Sequence, residues 1–237
     1  MFFEESDEKL DDNQKNSELR NENGHAEPTE DSIEPDESIG QTMLRRLLRA
    51  YSVYDSSVGY CQGMGFIAAT FLTYNSEREA FWQFVSVMNK RPCILRDLFG
   101  ESMSGSQRVL FIAEKLFQKF LPKLFKHFEK ENIHISMFAT QWLITIYSSS
   151  FPFDLVTRVW DIFMFDGWKI VYRVMLALLK HFSDELLQMD FEHILLFLRK
   201  LPRKVDGQQI MEVALSFPIR TKHIYHFSKI WNEQNKS

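Results

Sequence analysis

Apolar residues recur at the spacing of amphipathic helices along most of this chain. In the first such segment Leu44, Leu47, Leu48 and Tyr51 stand at positions i, i+3, i+4 and i+7, with arginines among the positions between them. This spacing places the four apolar side chains on one face of a helix. A chain built from such segments buries their apolar faces against one another, which predicts a packing of helices.

The helical pattern continues through the rest of the sequence. Apolar residues repeat at helical spacing over 109–120, and Pro122 suits the first turn of a following helix, so a two-helix corner is expected there. Three polar residues, Ser76, Asp190 and Asp206, are suited to cap the starts of other helices. Further helices are predicted at 77–89, 133–148, 153–165, 168–182, 190–200, 207–217 and 221–234.

Signals for strands and repeats do not accompany this pattern. We find no series of period-two runs bounded by hairpin turns, and the Asp166-Gly167 pair stands between two helix-like stretches. We also find no internal repeat of fixed period, which argues against a solenoid. The sequence therefore predicts an all-α fold of about eight to twelve helices, without a sheet.

The first 37 residues differ in composition from the rest. They are mainly Asp, Glu, Asn and Ser without apolar periodicity, so we expect them to be disordered or weakly helical. The composition changes at Ile39-Gly40, which divides the chain into an acidic tail, 1–39, and a folded domain, 40–237. The tail holds 14 acidic and 3 basic residues, a net charge of −11, whereas the domain holds 18 acidic and 25 basic residues, a net charge of +7.

The positive charge of the domain admits several interpretations. A basic surface attracts acidic proteins, anionic membrane surfaces or nucleic acid. Lys and Arg residues on solvated helix faces explain the same balance without any partner. We favour this second interpretation and expect no nucleic-acid partner.

Several other classes of protein and site are disfavoured. No apolar run reaches the roughly 18 residues of a membrane-spanning helix, and the first residues lack the pattern of a secretory signal. Cys61 and Cys93 are too few for a disulfide framework, which fits free thiols in a cytoplasmic protein. His223 and His226 share a helical face without a third ligand nearby, so no metal is expected. No phosphate-binding loop motif is present, so no nucleotide or other cofactor is expected.

The most specific stretch runs from Ala50 to Met64 and reads AYSVYDSSVGYCQGM. It resembles the glutamine-finger motif of TBC domains, which activate Rab-type small GTPases. A second region resembles the same family independently, with SMFATQW at 136–142, FPFD at 151–154, RVWD at 158–161 and DGW at 166–168. Two separated blocks in the family's order argue against coincidence. The resemblance covers residues 40 to roughly 230 and implies an irregular multi-helix domain with two helical subdomains.

The resemblance assigns the central role to Gln62. In the family the equivalent glutamine acts in trans on the GTPase, so the resemblance implies a GTPase activator rather than an enzyme with its own substrate pocket. A glutamine amide can accept a hydrogen bond from the attacking water and donate one toward the phosphate without changing protonation. The neighbouring glycines let the backbone approach a partner closely. Tyr60, Cys61 and Gly63 are expected to contact the GTPase in its GTP-bound form.

The second region is interpreted mainly as scaffold. Trp160, Asp161 and Gly167 are expected to serve structure, since an aromatic residue within an apolar helix more often anchors packing than touches a ligand. Arg158 is expected to form an intrahelical or interhelical ion pair.

The sequence departs from the family at the arginine finger. The family's motif, Ile-x-x-Asp-x-x-Arg-Thr, lies some 35 to 37 positions before the finger glutamine. A count of 37 positions back from Gln62 reaches His25. Residues 19–28 fit a degenerate version of this motif in which His25 replaces the arginine. Histidine is shorter and mostly neutral at pH 7, so it is a poor substitute. Arg20, or Arg45 and Arg46 on the first helix, are alternative sources of positive charge.

The family also has a helical segment before the arginine motif, and only 18 residues precede Leu19. We therefore expect part of the N-terminal half of such a fold to be missing from this sequence.

Three hypotheses follow for the function. The first is an activator of a Rab-type GTPase in vesicle trafficking, with Gln62 orienting water and a basic groove receiving the GTPase. Under this hypothesis we expect the protein to be cytoplasmic and to reach membranes transiently through its partner. The second is a non-catalytic adaptor that binds the GTPase without accelerating hydrolysis, as the absent arginine suggests. The third, a helical scaffold unrelated to GTPases, requires both motif blocks to be coincidental.

Overall fold

The protein's structure, a computed structural model, describes residues 38–100 and 103–235. These residues contain twelve α-helices and three short 3₁₀ helices, and they contain no strand. The all-α class predicted from the sequence is therefore confirmed. The α-helices are α1 Ile39–Tyr54, α2 Met64–Leu72, α3 Glu77–Asn89, α4 Ser104–Phe120, α5 Pro122–Lys130, α6 Ala139–Ile144, α7 Phe153–Asp166, α8 Trp168–His181, α9 Ser183–Leu186, α10 Phe191–Lys200, α11 Gly207–Ser216 and α12 Thr221–Gln234.

Polar caps fix the starts of several helices, as predicted. Ser76 accepts a hydrogen bond from the backbone N–H of Glu79, whose side chain accepts one from the Ser76 backbone N–H in return. The carboxylates of Asp190 and Asp206 each accept a backbone N–H bond from the third residue beyond them. Ser38 caps α1 in the same way, which explains why the helix begins at Ile39.

One predicted helix, at 133–148, is wrong in its extent. The segment instead forms a 3₁₀ helix, Ile135–Met137, followed by the short α6. The backbone takes left-handed φ angles of 49° at Ile146 and 67° at Tyr147, which end the helix. Tyr147 is fully buried and its hydroxyl donates a 2.7 Å hydrogen bond to the Val171 carbonyl on α8. Burial of this side chain therefore outweighs the helical pattern.

The core is organised around α8. From Ile170 to Leu179 every residue except Arg173 is buried, because the helix packs against α4, α7 and α11. Edge-to-face aromatic pairs close the corner between α4 and α5, where the Phe117 ring lies 5.3 Å from that of Phe125 and 5.4 Å from that of Phe128. This core supports the helices that carry the motif residues.

The helices α1, α2 and α3 pack against one another. Tyr51 of α1 is fully buried, with its ring 4.8 Å from that of Phe84 on α3. The nine residues 55–63 therefore connect two helices that pack together. No helix in the described residues is both long and apolar enough to cross a membrane.

Candidate functional site

The loop between α1 and α2 presents Gln62 to solvent. Gln62 is exposed, and the next residue, Gly63, precedes α2 with a φ of +106°. Only glycine adopts such a φ readily, because a Cβ atom would clash with the chain's own backbone. Met64, which begins α2, is fully buried and fixes the far side of this bend.

Cys61 holds the loop from the inside. Its thiol donates a 3.2 Å hydrogen bond to the Phe99 carbonyl oxygen, and its backbone N–H lies 3.4 Å from the Met64 sulfur. Cys61 is half-buried, whereas its neighbour Gln62 is exposed. The thiol therefore anchors the backbone from which the Gln62 side chain extends.

A cleft of about 750 Å³ brings the two sequence motifs together. Residues 61–63 and Phe66 line it from the glutamine loop and α2. Residues 136–138 and 140–141, which belong to the second motif, line it from the α6 region. Residues 98–100 complete much of the remaining wall. The two motif regions, more than seventy positions apart in the chain, thus form one surface depression.

The described walls of the cleft do not form the basic groove that was expected. Among the described residues that line it, none carries a charged side chain. Most of the exposed lining is apolar instead, and Phe66, Met103 and Met137 are partly exposed at 44, 55 and 49% of their surface. The described walls therefore supply no positive charge to the cleft and are suited to uncharged groups.

The three residues expected to contact a GTPase differ in whether they line the cleft. Cys61 and Gly63 line the cleft, but Tyr60 does not. Tyr60 is 60% exposed and lies directly before them in the loop. Its ring is therefore available to a partner outside the cleft.

An ion pair that sequence reasoning missed supports the start of the loop. The guanidinium of Arg96 donates from Nε to Asp55 Oδ2 at 2.6 Å and from Nη2 to Asp55 Oδ1 at 3.0 Å. These hydrogen bonds lower the pKa of Asp55 from its ordinary 3.8 to about 2. Asp55 stands within the quoted motif, but its partner is 41 positions away, and no local pattern in the sequence indicates the pairing.

The buried Tyr51 completes this cluster. Its hydroxyl donates a 3.3 Å hydrogen bond to Asp55 Oδ2, and burial, followed by the Asp55 charge, raises its pKa to about 12. Tyr51 therefore stays protonated and remains a donor at physiological pH.

Comparison with known proteins identifies this arrangement. The family model of the Rab-GTPase-TBC domain matches residues 2–187, which is most of the chain. The chain belongs to the TBC domain family. The family predicted from the two motif blocks is thus confirmed.

Relatives of this TBC domain are found among several vertebrate proteins. It is 37% identical over 205 residues to the human ecotropic viral integration site 5 protein homolog, covering 85% of this chain and 25% of that protein. It is 40% identical over 168 residues to TBC1 domain family member 12 of Xenopus tropicalis, covering 71% and 24%. The chain therefore spans about a quarter of the length of these relatives.

Solved structures of TBC domains are also similar. The crystal structure of the Chlamydomonas flagellar RabGAP TBC domain matches with a TM-score of 0.64 and 29% identity, covering 77% of this chain and 61% of that chain. The Ypt/Rab-GAP domain of Gyp1p matches with a TM-score of 0.61 over 83% of this chain and 66% of that chain. Its identity is 19%, so the second match shows the fold alone.

The expected scaffold residues of the TBC domain fall into two groups. Trp160 is buried, with its ring edge-to-face at 5.3 Å from Phe71 and 5.4 Å from Phe163, while Gly167 is buried with a φ of +67° where α7 ends. Asp161, in contrast, is exposed, and the packing role expected of it is not seen within the described residues.

Arg158 forms an ion pair, as expected, and of the two alternatives it is the intrahelical one. Its partner is Asp154, one turn earlier on α7, with Arg158 Nε 3.0 Å from Asp154 Oδ1. Both side chains are about half exposed. The pair therefore contributes little to stability.

Only some of the residues considered for the arginine-finger role lie within the described part of the chain. His25, Arg20 and the whole of 19–28 lie outside the described residues, although the family match includes them. Arg46 on α1 pairs with Glu77 on α3, to which its Nε donates a 2.9 Å hydrogen bond. No described group of three or more His, Cys, Asp and Glu residues is arranged to hold a metal.

Proposed function

We propose that this TBC domain accelerates GTP hydrolysis by a Rab-type small GTPase, with Gln62 entering the partner's nucleotide site. The observation that carries the proposal is the position of Gln62, which is exposed at the edge of a cleft formed by both family motifs. A GTPase seated over the cleft would bring its bound GTP to this side chain. The GTPase binds in its GTP-bound form and brings the domain transiently to membranes.

The chemistry asked of Gln62 is orientation of a water molecule. The amide oxygen accepts a hydrogen bond from the attacking water, and the amide N–H₂ donates toward the γ-phosphate, where negative charge accumulates. Neither step requires a proton to be gained or lost by the protein. A fixed loop matters because catalysis by positioning fails when the group is displaced by about 1 Å.

The described walls of the cleft carry no charge, which supports a mechanism in which the GTPase supplies the charged groups. The GTPase itself holds the phosphates and the magnesium ion, so the activator needs no phosphate cradle. Phe66, Met103 and Met137 offer apolar surface on which an apolar region of the partner loses contact with water. Binding and catalysis are then separate tasks of neighbouring residues.

The proposal is tested by single-turnover phosphate release from a panel of GTP-loaded Rab proteins. The wild-type chain should accelerate release from at least one of them, and Gln62→Ala should remove most of that acceleration. Gln118→Ala is the matched control, since Gln118 is an exposed glutamine on α4 that does not line the cleft. Acceleration that survives Gln62→Ala would exclude the role assigned to Gln62.

The contact residues are tested separately from catalysis. Tyr60→Ala should weaken binding to a Rab protein loaded with a non-hydrolysable GTP analogue, because Tyr60 is exposed beside the cleft. The rate at saturating activator should change much less. Unchanged affinity would remove Tyr60 from the interface.

A second candidate function is a non-catalytic adaptor that binds a GTP-loaded Rab protein. It is favoured by histidine at position 25, where the family's motif has its arginine. An arginine finger contributes about 10³ to 10⁵ in rate, so its loss would leave binding without much catalysis. Stable, GTP-dependent binding without acceleration would support the adaptor, whereas strong acceleration would exclude it.

A further inference from the structure

We propose that Arg96 is a positioning residue for Gln62, acting by clamping the α1–α2 loop to the segment 95–99. The inference rests on the proposed function and extends it. Arg96 does not line the cleft, so its effect must pass through the loop. The structure shows contacts to the loop at two separated points, one near its start and one beside Gln62.

The first contact point is made by the Arg96 side chain. Its two hydrogen bonds to Asp55 are parallel, which fixes the orientation of the carboxylate as well as its distance. Arg96 Nη2 also donates to Ser57 Oγ, and Ser57 in turn donates a 2.8 Å hydrogen bond to Asp55. The first residues of the loop are thereby held by one guanidinium.

The second contact point is made by the backbone of the same segment. The carbonyl oxygen of Phe99 accepts the hydrogen bond from the Cys61 thiol, one residue before Gln62. The turn between the two points is closed by backbone hydrogen bonds from Val58 and Gly59 to the Asp55 carbonyl, at 3.1 and 2.8 Å. Movement of Asp55 is therefore transmitted to the backbone that leads to Gln62.

The segment 95–99 is itself anchored to the core. Leu95 is fully buried, and its N–H donates a 3.0 Å hydrogen bond to the Val87 carbonyl near the end of α3. Ser106 on α4 is buried and donates a 2.6 Å hydrogen bond to the Leu98 carbonyl. The loop is thus clamped to a segment with little freedom to move.

The Arg96–Asp55 pair differs from an ordinary surface ion pair. The Asp55 side chain is only 13% exposed, whereas a neighbouring pair, Arg108 and Asp97, has side chains 34 and 50% exposed. Arg108 makes a single 3.2 Å contact to Asp97 and does not touch the loop. This neighbouring pair provides a matched control, because it joins the same segment to α4 instead.

The first arm of the test is kinetic and uses the full chain with the Rab protein that responds best. Arg96→Gln should lower kcat by about 10- to 100-fold, since a small displacement of a positioned group has that effect, with little change in KM. Asp55→Asn should likewise lower kcat with little change in KM. Arg96→Lys should have a kcat between those of Arg96→Gln and the wild type, because lysine keeps the charge without the planar fork of donors. Arg108→Gln should change neither constant.

The same arm includes a double substitution. In a Gln62→Ala background, Arg96→Gln should have no further effect on hydrolysis, because the group it positions is gone. An effect of Arg96→Gln that persists in this background would overturn the proposal, as would an unchanged kcat in the single variant.

The second arm is amide hydrogen exchange and needs no GTPase. Arg96→Gln should speed exchange of the Val58 and Gly59 amides, which close the turn on the Asp55 carbonyl, and Arg108→Gln should not. If the wild-type chain activates no Rab protein, the proposed function fails while this arm still reports on the clamp. Unchanged exchange in Arg96→Gln would show that no clamp exists.

Discussion

A Cβ atom added to Gly167 would lie 2.8 Å from the carbonyl oxygen of Pro92. The same residue has a φ of +67°, a conformation that favours glycine. Gly167 joins α7 to α8, so the Pro92 backbone packs directly against the junction between two core helices. This close approach explains a glycine where the second motif has its Asp-Gly-Trp sequence.

Gly167→Ala should therefore destabilise the protein. The strained φ and the backbone contact together should cost about 2 to 4 kcal/mol in the free energy of unfolding. Chemical denaturation followed by circular dichroism measures this quantity. Gly40→Ala on α1 is the control, because nothing lies within 4 Å of an added Cβ there, and it should be neutral or slightly stabilising. Equal stability of the two variants would contradict the packing argument.

Gly63→Ala should separate catalysis from folding. The nearest atom to an added Cβ is Phe99 Cε1 at 3.5 Å, an ordinary contact, so the cost comes from the φ of +106° alone. We expect a loss of about 1 to 2 kcal/mol in stability. Relief of the strain should displace the neighbouring Gln62, so GTPase activation should fall by at least about tenfold. Full activity in a variant shown to be folded would mean that the bend is not required.

The Asp55 carboxylate should make stability depend on acid pH. Its pKa is about 2 in the folded protein and 3.8 ordinarily, because Arg96 donates hydrogen bonds to the charged form. The stabilisation is complete above pH 3.8 and is lost as the pH falls through about 2. At neutral pH, Asp55→Asn should cost about 1 kcal/mol, a value reduced for solvent screening.

Urea denaturation of the wild type and Asp55→Asn over this pH range measures the dependence. The difference in unfolding free energy should be constant near neutrality and should shrink toward pH 2. A difference that grows as the pH falls would have the wrong sign for a carboxylate of lowered pKa.

His25→Arg tests the alignment that places histidine at the arginine-finger position. If the alignment is correct, the arginine at position 25 should raise the rate of activated GTP hydrolysis. The increase should be about 10³-fold, the lower end of the contribution of an arginine finger. Single-turnover hydrolysis at saturating activator is the measurement. His226→Arg is the control, because His226 is an exposed histidine on α12. An equal, small response in both variants would remove residues 19–28 from the catalytic site.

The sequence predicts those helices whose signals are local. The Ser76 and Asp206 caps, and the amphipathic pattern after them, depend on neighbours within four positions, and the observed helices start where those caps indicate. Helix α2 was not predicted as a helix, because it is apolar on all sides and so has no amphipathic period. Tyr147 ends α6 through a contact with α8 that is 24 positions away.

In the candidate site, too, the sequence predicts the local motifs but not the contacts between distant segments. Gln62 and the second motif were recognisable as residue types in a familiar order. Their meeting in one cleft depends on how the helices pack. The net charge of the domain predicts a basic groove, but it does not say which faces carry the charge, and the described walls carry none. The pairing of Arg96 with Asp55 depends on tertiary structure in the same way.

The lack of charge on the described cleft walls has a consequence for the selectivity expected under the proposed function. Apolar walls distinguish partners by shape and by the water they exclude, and these interactions respond weakly to salt. Met103 and Met137 are flexible and polarizable, so they can adapt to differently shaped apolar surfaces. Exchange of either methionine for a stiffer residue should narrow the range of partner surfaces that the cleft accepts, without altering Gln62.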